Sequence, residues 1–225
     1  MLKLKRLLLC AGLLCVGCPA VVQAGEPEIV IDGVVVQKSE KTTAQRMIDD
    51  AVSFAVGVAG DNSHGYNNKG NGYGPDEYNC IGLVIRAYQH AGVNVRSCNI
   101  PVMPERLQEA GFVEITSQVN LQTGEGLVKG DILWYLDGTG KHGHTELYTG
   151  NGSVVGARGD TDGVPGDSQG NEIVTAGYSN LGWQKVFRLP DGYAEDPDPI
   201  MIETVNPDIV VLDLATLQVE TEYTE

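Results

Sequence analysis

From residue 42 to residue 60 the chain reads TTAQRMIDDAVSFAVGVAG, with Ala44, Met47, Ile48, Ala51, Val52, Ala55 and Val56 at three- and four-residue intervals. That period gathers them on one helical face, and Thr42 offers a side-chain oxygen to the unpaired N–H groups of a first turn. A helix with one buried stripe is predicted over 42–60. Residues 61–77, DNSHGYNNKGNGYGPDE, hold Gly, Asn and Asp without apolar periodicity and read as a loop. A second helix is predicted over 80–90, with Leu83, Val84, Ala87 and Tyr88 as its stripe, Asn79 as N-cap and Gly92 just past its end. A short third helix follows over 103–110. Beyond it the pattern shortens to FVEIT, GDILWYL, HTELYTG, SVVGA, EIVTA and QKVFRL, partly alternating runs bounded by Gly, Asn and Asp, which read as antiparallel strands. Helices first and strands after predict an α+β fold, N-terminal helices packed on an antiparallel sheet.

The ends differ from this middle. Residues 29–36, IVIDGVVV, read as one short strand or an extended arm. Residues 1–24 begin with Lys3, Lys5 and Arg6, continue through an apolar run to about Cys18, and finish on small residues before Ala24. That is the pattern of a signal peptide. The apolar run, roughly 12 residues against the ~20 a spanning helix needs, argues against stable membrane insertion. A lipoprotein signal ending at Cys18 is less favoured, because Cys15 stands where a leucine is expected. The expected organisation is a leader over 1–24, an arm over 25–41, a catalytic domain over 42–189 and an acidic tail over 190–225. The expected location is outside the cytoplasm.

The chain of 225 residues carries a formal net charge of −15, and residues 189–225 contain ten acids and no base. Nucleic acid is therefore excluded as a partner, since phosphate binding needs clustered Lys and Arg. Of five cysteines three fall within residues 1–24, leaving Cys80 and Cys98. Export would permit these two to pair as a disulfide, so that reading stays open.

Cys80 stands where the polar loop gives way to the second helix. A thiol attacks well only when ionised, and a helix N-terminus favours the thiolate through unpaired N–H groups and the positive end of the macrodipole. Such a nucleophile needs a base within reach, itself held by a third group. His144 opens the strand HTELYTG, and Asn151-Gly152 provides a tight turn into SVVGA. His144, Glu146 and Tyr148 then share one strand face, expected to look into a cleft. His142 and His144 form an H-x-H pair that would suit zinc only with a third ligand of no suggestive spacing. His90 falls at the far end of the second helix, and His64 lies in the loop before Cys80. The acids of RGDTDGVPGDSQGNE do not fit the spacing of a helix-loop-helix calcium site and read as a solvated or substrate-facing loop.

The segment HGYNNKGNGYGPDEYNCIGLVIRAYQHAG, followed by GDILWYLDGTGKHGHTELYTGNGSVVGARGD and then GDSQGNEI, resembles the NlpC-type papain-like cell-wall hydrolases, most nearly the branch with bacteriophage peptidoglycan amidases. The resemblance spans roughly residues 44–189. It implies a papain-like fold, Cys80 as nucleophile, His144 as base and attack on an amide of a peptidoglycan stem peptide through a thioester. The bond is that of an N-acetylmuramoyl-L-alanine amidase or of a stem-peptide endopeptidase. Neither cofactor nor metal is implied. Tyr66 matches the region where such enzymes place a tyrosine near the thiolate, and Tyr66 and Asn79 are the candidate substrate or oxyanion residues. The chain departs from the family in reading Asn79-Cys80-Ile81 where Asp-Cys-Ser is common. It departs again at the residue twelve beyond the histidine, the usual orienting group, which here is Gly156. A one-residue bulge in the hairpin would bring Asp160 opposite His144, so Asp160 is the expected third catalytic residue. A catalytically silent wall-binding protein on the same scaffold is the rival reading.

Overall fold

The computed structural model describes residues 29–31, 34–36, 41–69, 72–163 and 171–196. The expected leader and the apolar runs of the acidic tail lie outside these residues. The chain divides into two units, residues 1–40 and 41–225. In the first, in place of the single strand expected over 29–36, β1 (Ile29–Ile31) and β2 (Val34–Val36) pair antiparallel, Ile29 opposite Val36. They flank Asp32-Gly33, a dipeptide that favours hairpin turns.

The second unit opens with α1 (Thr43–Gly60). The Thr42 hydroxyl accepts from the Gln45 N–H at 3.0 Å while the Gln45 side chain accepts from the Thr42 N–H at 2.9 Å, a reciprocal capping box. Ile48, Ala51, Val52, Ala55 and Val58 are buried along one face, and Val56 turns outward. β3 (Gly65–Tyr66) and β4 (Glu77–Tyr78) pair parallel and close the intervening loop on itself, delivering the chain to α2 (Cys80–His90). α2 is buried nearly all round, with Leu83, Val84, Ile85, Ala87 and Tyr88 at 1% exposure or less. It lies against α1 and against the sheet, and burying each large apolar side chain contributes about 1.5–3 kcal/mol. α3 (Met103–Glu109) completes the helices.

The strands are β5 (Val113–Glu114), β6 (Ile132–Leu136), β7 (Gly143–Gly150), β8 (Ser153–Ala157), β9 (Ile173–Gly177) and β10 (Lys185–Arg188). They form one antiparallel sheet in the order β5-β10-β6-β7-β8-β9. The α+β class expected from the order of the patterns is the class observed. One sheet face supplies Ile132, Trp134, Leu147, Val155 and Phe187 to the core shared with the helices. The other supplies Leu133, Tyr148, Val154 and Val186 to a second cluster closed by Trp183. β7 is central and covered on both sides, which is why Thr145 and Glu146 are buried despite their polarity.

Two polar ties hold the frame. Asp131, fully buried, takes both of its Arg188 hydrogen bonds at 2.7 Å and a third from the Val128 N–H at 2.8 Å, joining the start of β6 to β10. After β10 the chain returns over α1: the Thr42 hydroxyl donates to the Asp191 carbonyl at 2.7 Å and the Tyr193 hydroxyl to Asp49 at 2.8 Å. Asp196 accepts from the Tyr148 hydroxyl at 3.0 Å and from the Asn151 N–H at 2.7 Å. Packed structure therefore runs past the boundary expected at Leu189.

Candidate active site

The site begins with how α2 starts. Asn79 has an extended backbone, and its side-chain oxygen accepts from the Gly82 N–H at 2.7 Å, while its own N–H donates to the Gly72 carbonyl at 2.8 Å. The loop thus lies directly on the first turn, and only glycine fits at 82, where a β-carbon would stand 1.7 Å from the Gly72 oxygen. Cys80 is the first residue of the helix, 7% exposed. It lines a cleft of about 530 Å³ with Tyr66, Asn68, Asn99, Pro101, Lys141 and Gly143 among its walls.

Across from α2, β7 presents His144. Residues Asn151 and Gly152 both have positive φ, 53° and 70°, the two-residue turn expected there, and the β7–β8 register shifts by one residue just before it. The imidazole Nε2 faces the Glu146 Oε1 at 3.2 Å, and the ring also interacts with the Cys80 side chain. Trp183 stacks on the ring at 6.0 Å between centroids and 21° between planes, with Tyr135 tilted against both. Burial pulls the His144 pKa down, but the hydrogen bonds and charges of Cys80 and Glu146 outweigh it and raise it to about 9. Burial pushes the Glu146 carboxyl up, and the hydrogen bonds of His144 and Arg158 more than reverse that, leaving it below its ordinary value.

Tyr66 stands beside Cys80 in the cleft, its phenol pushed up to about 12 by burial and then by the neighbouring sulfur. Its backbone N–H donates to the Glu172 Oε2 at 2.8 Å, and Thr161 donates to the other oxygen at 2.9 Å. Glu172, expected on a solvated loop, is in fact fully buried and anchors the loop carrying Tyr66. Asn79, named as a substrate or oxyanion candidate, commits its side-chain oxygen to capping α2.

Asp160 is not the residue set against His144. Its Oδ1 accepts from the Gly163 N–H at 2.7 Å, a turn cap, and its carboxylate lies with those of Asp162 and Glu172, oxygens within 4.8 Å of one another. The expectation failed because Leu147 pairs with Val155 and the irregularity in the ladder falls at Thr149, so the register points His144 toward Arg158 and away from Asp160. The strand face of His144, Glu146 and Tyr148 is also not a cleft wall: Glu146 is 1% exposed and Tyr148 4%. One signal for Glu146 in the sequence was its place two residues from His144 on the same face.

The other candidates disperse. His142 lies on the cleft rim, its backbone bonded to Asp137. His64 contacts the Asp76 carbonyl at 3.3 Å, and His90 packs on the Phe54 ring at 4.8 Å. Cys80 and Cys98 are both free thiols, so the disulfide reading falls. Burial pushes the Cys98 thiol up to about 11.

No family model matches the chain, and a search of curated proteins returns no match. Solved structures do. The P60 domain of an antigen from M. avium subspecies paratuberculosis is 15% identical, with 68% of this chain and 100% of that chain covered, at a TM-score of 0.45. The NlpC/p60 domain of the peptidoglycan hydrolase SagA is 17% identical over 63% of this chain and 98% of that one, at 0.42. An endolysin, LysIME-EF1, is 21% identical over 64% of each, at 0.42. No helix among the described residues is long and apolar enough to cross a membrane.

Proposed function

We propose that this protein is an exported cysteine hydrolase that cleaves an amide bond in the stem peptide of peptidoglycan, or the bond joining that peptide to its sugar. The observation that carries the thiol chemistry is the imidazole of His144, which meets the Glu146 carboxylate at 3.2 Å through Nε2 and interacts with the side chain of Cys80 at the start of α2. The substrate class is the one the sequence resemblance implies, and the leader pattern of residues 1–24 supports export.

In this reading His144 holds the proton that leaves Cys80 as thiolate. The sulfur attacks the amide carbonyl. The Cys80 N–H, one of the first-turn donors without an intrahelical acceptor, faces the oxygen on which charge develops. His144 then gives its proton to the departing amine, leaving a thioester on Cys80. Water, deprotonated by the same imidazole, releases the acid and restores the thiol. Tyr66, beside the sulfur, contacts the substrate or the developing oxyanion.

Zymography on purified cell walls tests this reading. Clearing that persists with a chelator and with Cys98→Ser, but disappears with Cys80→Ser, supports it. Absence of clearing by the unaltered protein supports a silent wall-binding role, and clearing abolished by chelation supports a metal enzyme.

A further inference from the structure

Glu146 is a buried acid on a central strand, a position that charged side chains rarely take unless they are paired. Its Oε1 receives two donors, His144 Nε2 at 3.2 Å and Arg158 Nε at 2.7 Å. The space it occupies belongs to another residue. Pairing of Leu147 with Val155 and Tyr148 with Val154, carried back along the ladder, sets Glu146 opposite Gly156. A β-carbon at 156 would stand 2.6 Å from the Glu146 Cγ and 2.8 Å from its Oε1. Gly156 has no positive φ that would demand glycine, so the close approach of the carboxylate is what excludes a side chain there.

We propose that Glu146 is the positioning residue that orients His144, that the missing side chain at Gly156 makes the room it needs, and that Arg158 pairs with it. The kinetic part of this rests on the thiol-hydrolase reading; the rest stands on geometry. The groups facing the imidazole come from every neighbouring element. They are Cys80 from α2, Tyr135 from β6, Trp183 stacked on the ring from the segment before β10, Glu146 from β7 itself, and, through Glu146, Arg158 after β8. Only Glu146 among them accepts at Nε2. Without it no acceptor at Nε2 selects between the two tautomers and the two flipped orientations of the ring. The short distance to Arg158 also explains how a carboxylate is tolerated there, because a buried charge persists when it is paired and hydrogen-bonded.

The test is a titration of the His144 ring by imidazole nitrogen NMR in the full chain, alongside wall hydrolysis. In the unaltered protein a slowly exchanging Nε2–H signal is expected, and its absence overturns the proposal without any variant. Glu146→Gln should bring the midpoint from about 9 toward that of a free histidine and lower kcat about a hundredfold with KM little changed. Gly156→Ala should reproduce both effects, since its methyl group displaces the carboxylate. Glu146→Gly combined with Gly156→Glu, which returns a carboxylate to the same space from the facing strand, should recover part of the rate. A midpoint that does not move in folded Glu146→Gln refutes the orienting role, whether or not walls are cleared. A midpoint that moves in a protein that clears no walls upholds it and removes only the hydrolase reading.

Discussion

Gly82 and Gly72 touch so closely that a β-carbon on Gly82 would lie 1.7 Å from the Gly72 carbonyl oxygen. The contact sits two residues beyond the nucleophile and clamps the loop of Tyr66 and Tyr73 onto the first turn of α2. Because the obstacle is backbone, it cannot be relieved by a side-chain rotation. Gly82→Ala should therefore cost about 1–3 kcal/mol by overpacking and should misplace Cys80 and Tyr66 together. Chemical denaturation and a wall-hydrolysis rate would show both losses. A variant of unchanged stability and rate would mean that the loop has slack the close contact does not suggest.

The N-cap makes a milder case. Asn79→Ala removes the acceptor of the Gly82 N–H and should destabilise the protein by about 1 kcal/mol. Asn79→Asp keeps that acceptor and adds a negative charge at the positive end of the helix, so its denaturation midpoint should be at least that of the unaltered protein.

The pH dependence follows from His144. Its pKa in the folded protein, raised to about 9, lies above that of an unfolded histidine at 6.5. The stabilisation it brings is thus complete below about pH 6.5 and is lost as pH rises through 9. The rate should share this limb, since the imidazolium is what supports the thiolate and protonates the leaving amine. A profile of kcat/KM between pH 6 and 10 should fall with a midpoint near 9, and with Glu146→Gln the fall should come at lower pH. A flat profile through pH 9 would contradict the assignment.

The end of the domain can be located by truncation. A chain cut after Leu189 loses the ties of Asp191, Tyr193 and Asp196 to Thr42, Asp49, Tyr148 and Asn151. At about 0.5–1.5 kcal/mol for each hydrogen bond, that is a loss of a few kcal/mol. A chain cut after Asp196 keeps all of them and should melt with the stability of the full chain. Equal melting of the two truncations would return the boundary to Leu189.

Much of this architecture was legible because it is locally determined. The Thr42 cap of α1, the start of α2 at Cys80 and the turn at Asn151-Gly152 each rest on a few adjacent residues, and each formed where the pattern placed it. The meeting of Cys80 and His144 was legible through the resemblance of their flanking segments. Glu146 was not, because what makes it an acceptor for His144 is non-local: an empty position at Gly156 across the hairpin and a cation at Arg158. A fixed count of twelve residues from His144 led to Gly156 and then on to Asp160, when the glycine was itself the sign that the partner came from the opposite strand. Glu172 escaped for a related reason. Its loop is rich in Asp and Gly and reads as solvated, and nothing nearby in sequence announces that Tyr66 and Thr161 will supply it with N–H donors.

The central claim is that the Cys80 sulfur performs the attack, and site-resolved alkylation tests it most directly. The full chain would be treated with iodoacetamide at neutral pH, with cysteine occupancy read by peptide mass spectrometry while wall hydrolysis is followed in the same samples. Cys80 should be modified first, with activity falling in step with its occupancy, while Cys98, whose thiol burial holds at about 11, stays unmodified. Hydrolysis that continues with Cys80 fully alkylated would contradict the account.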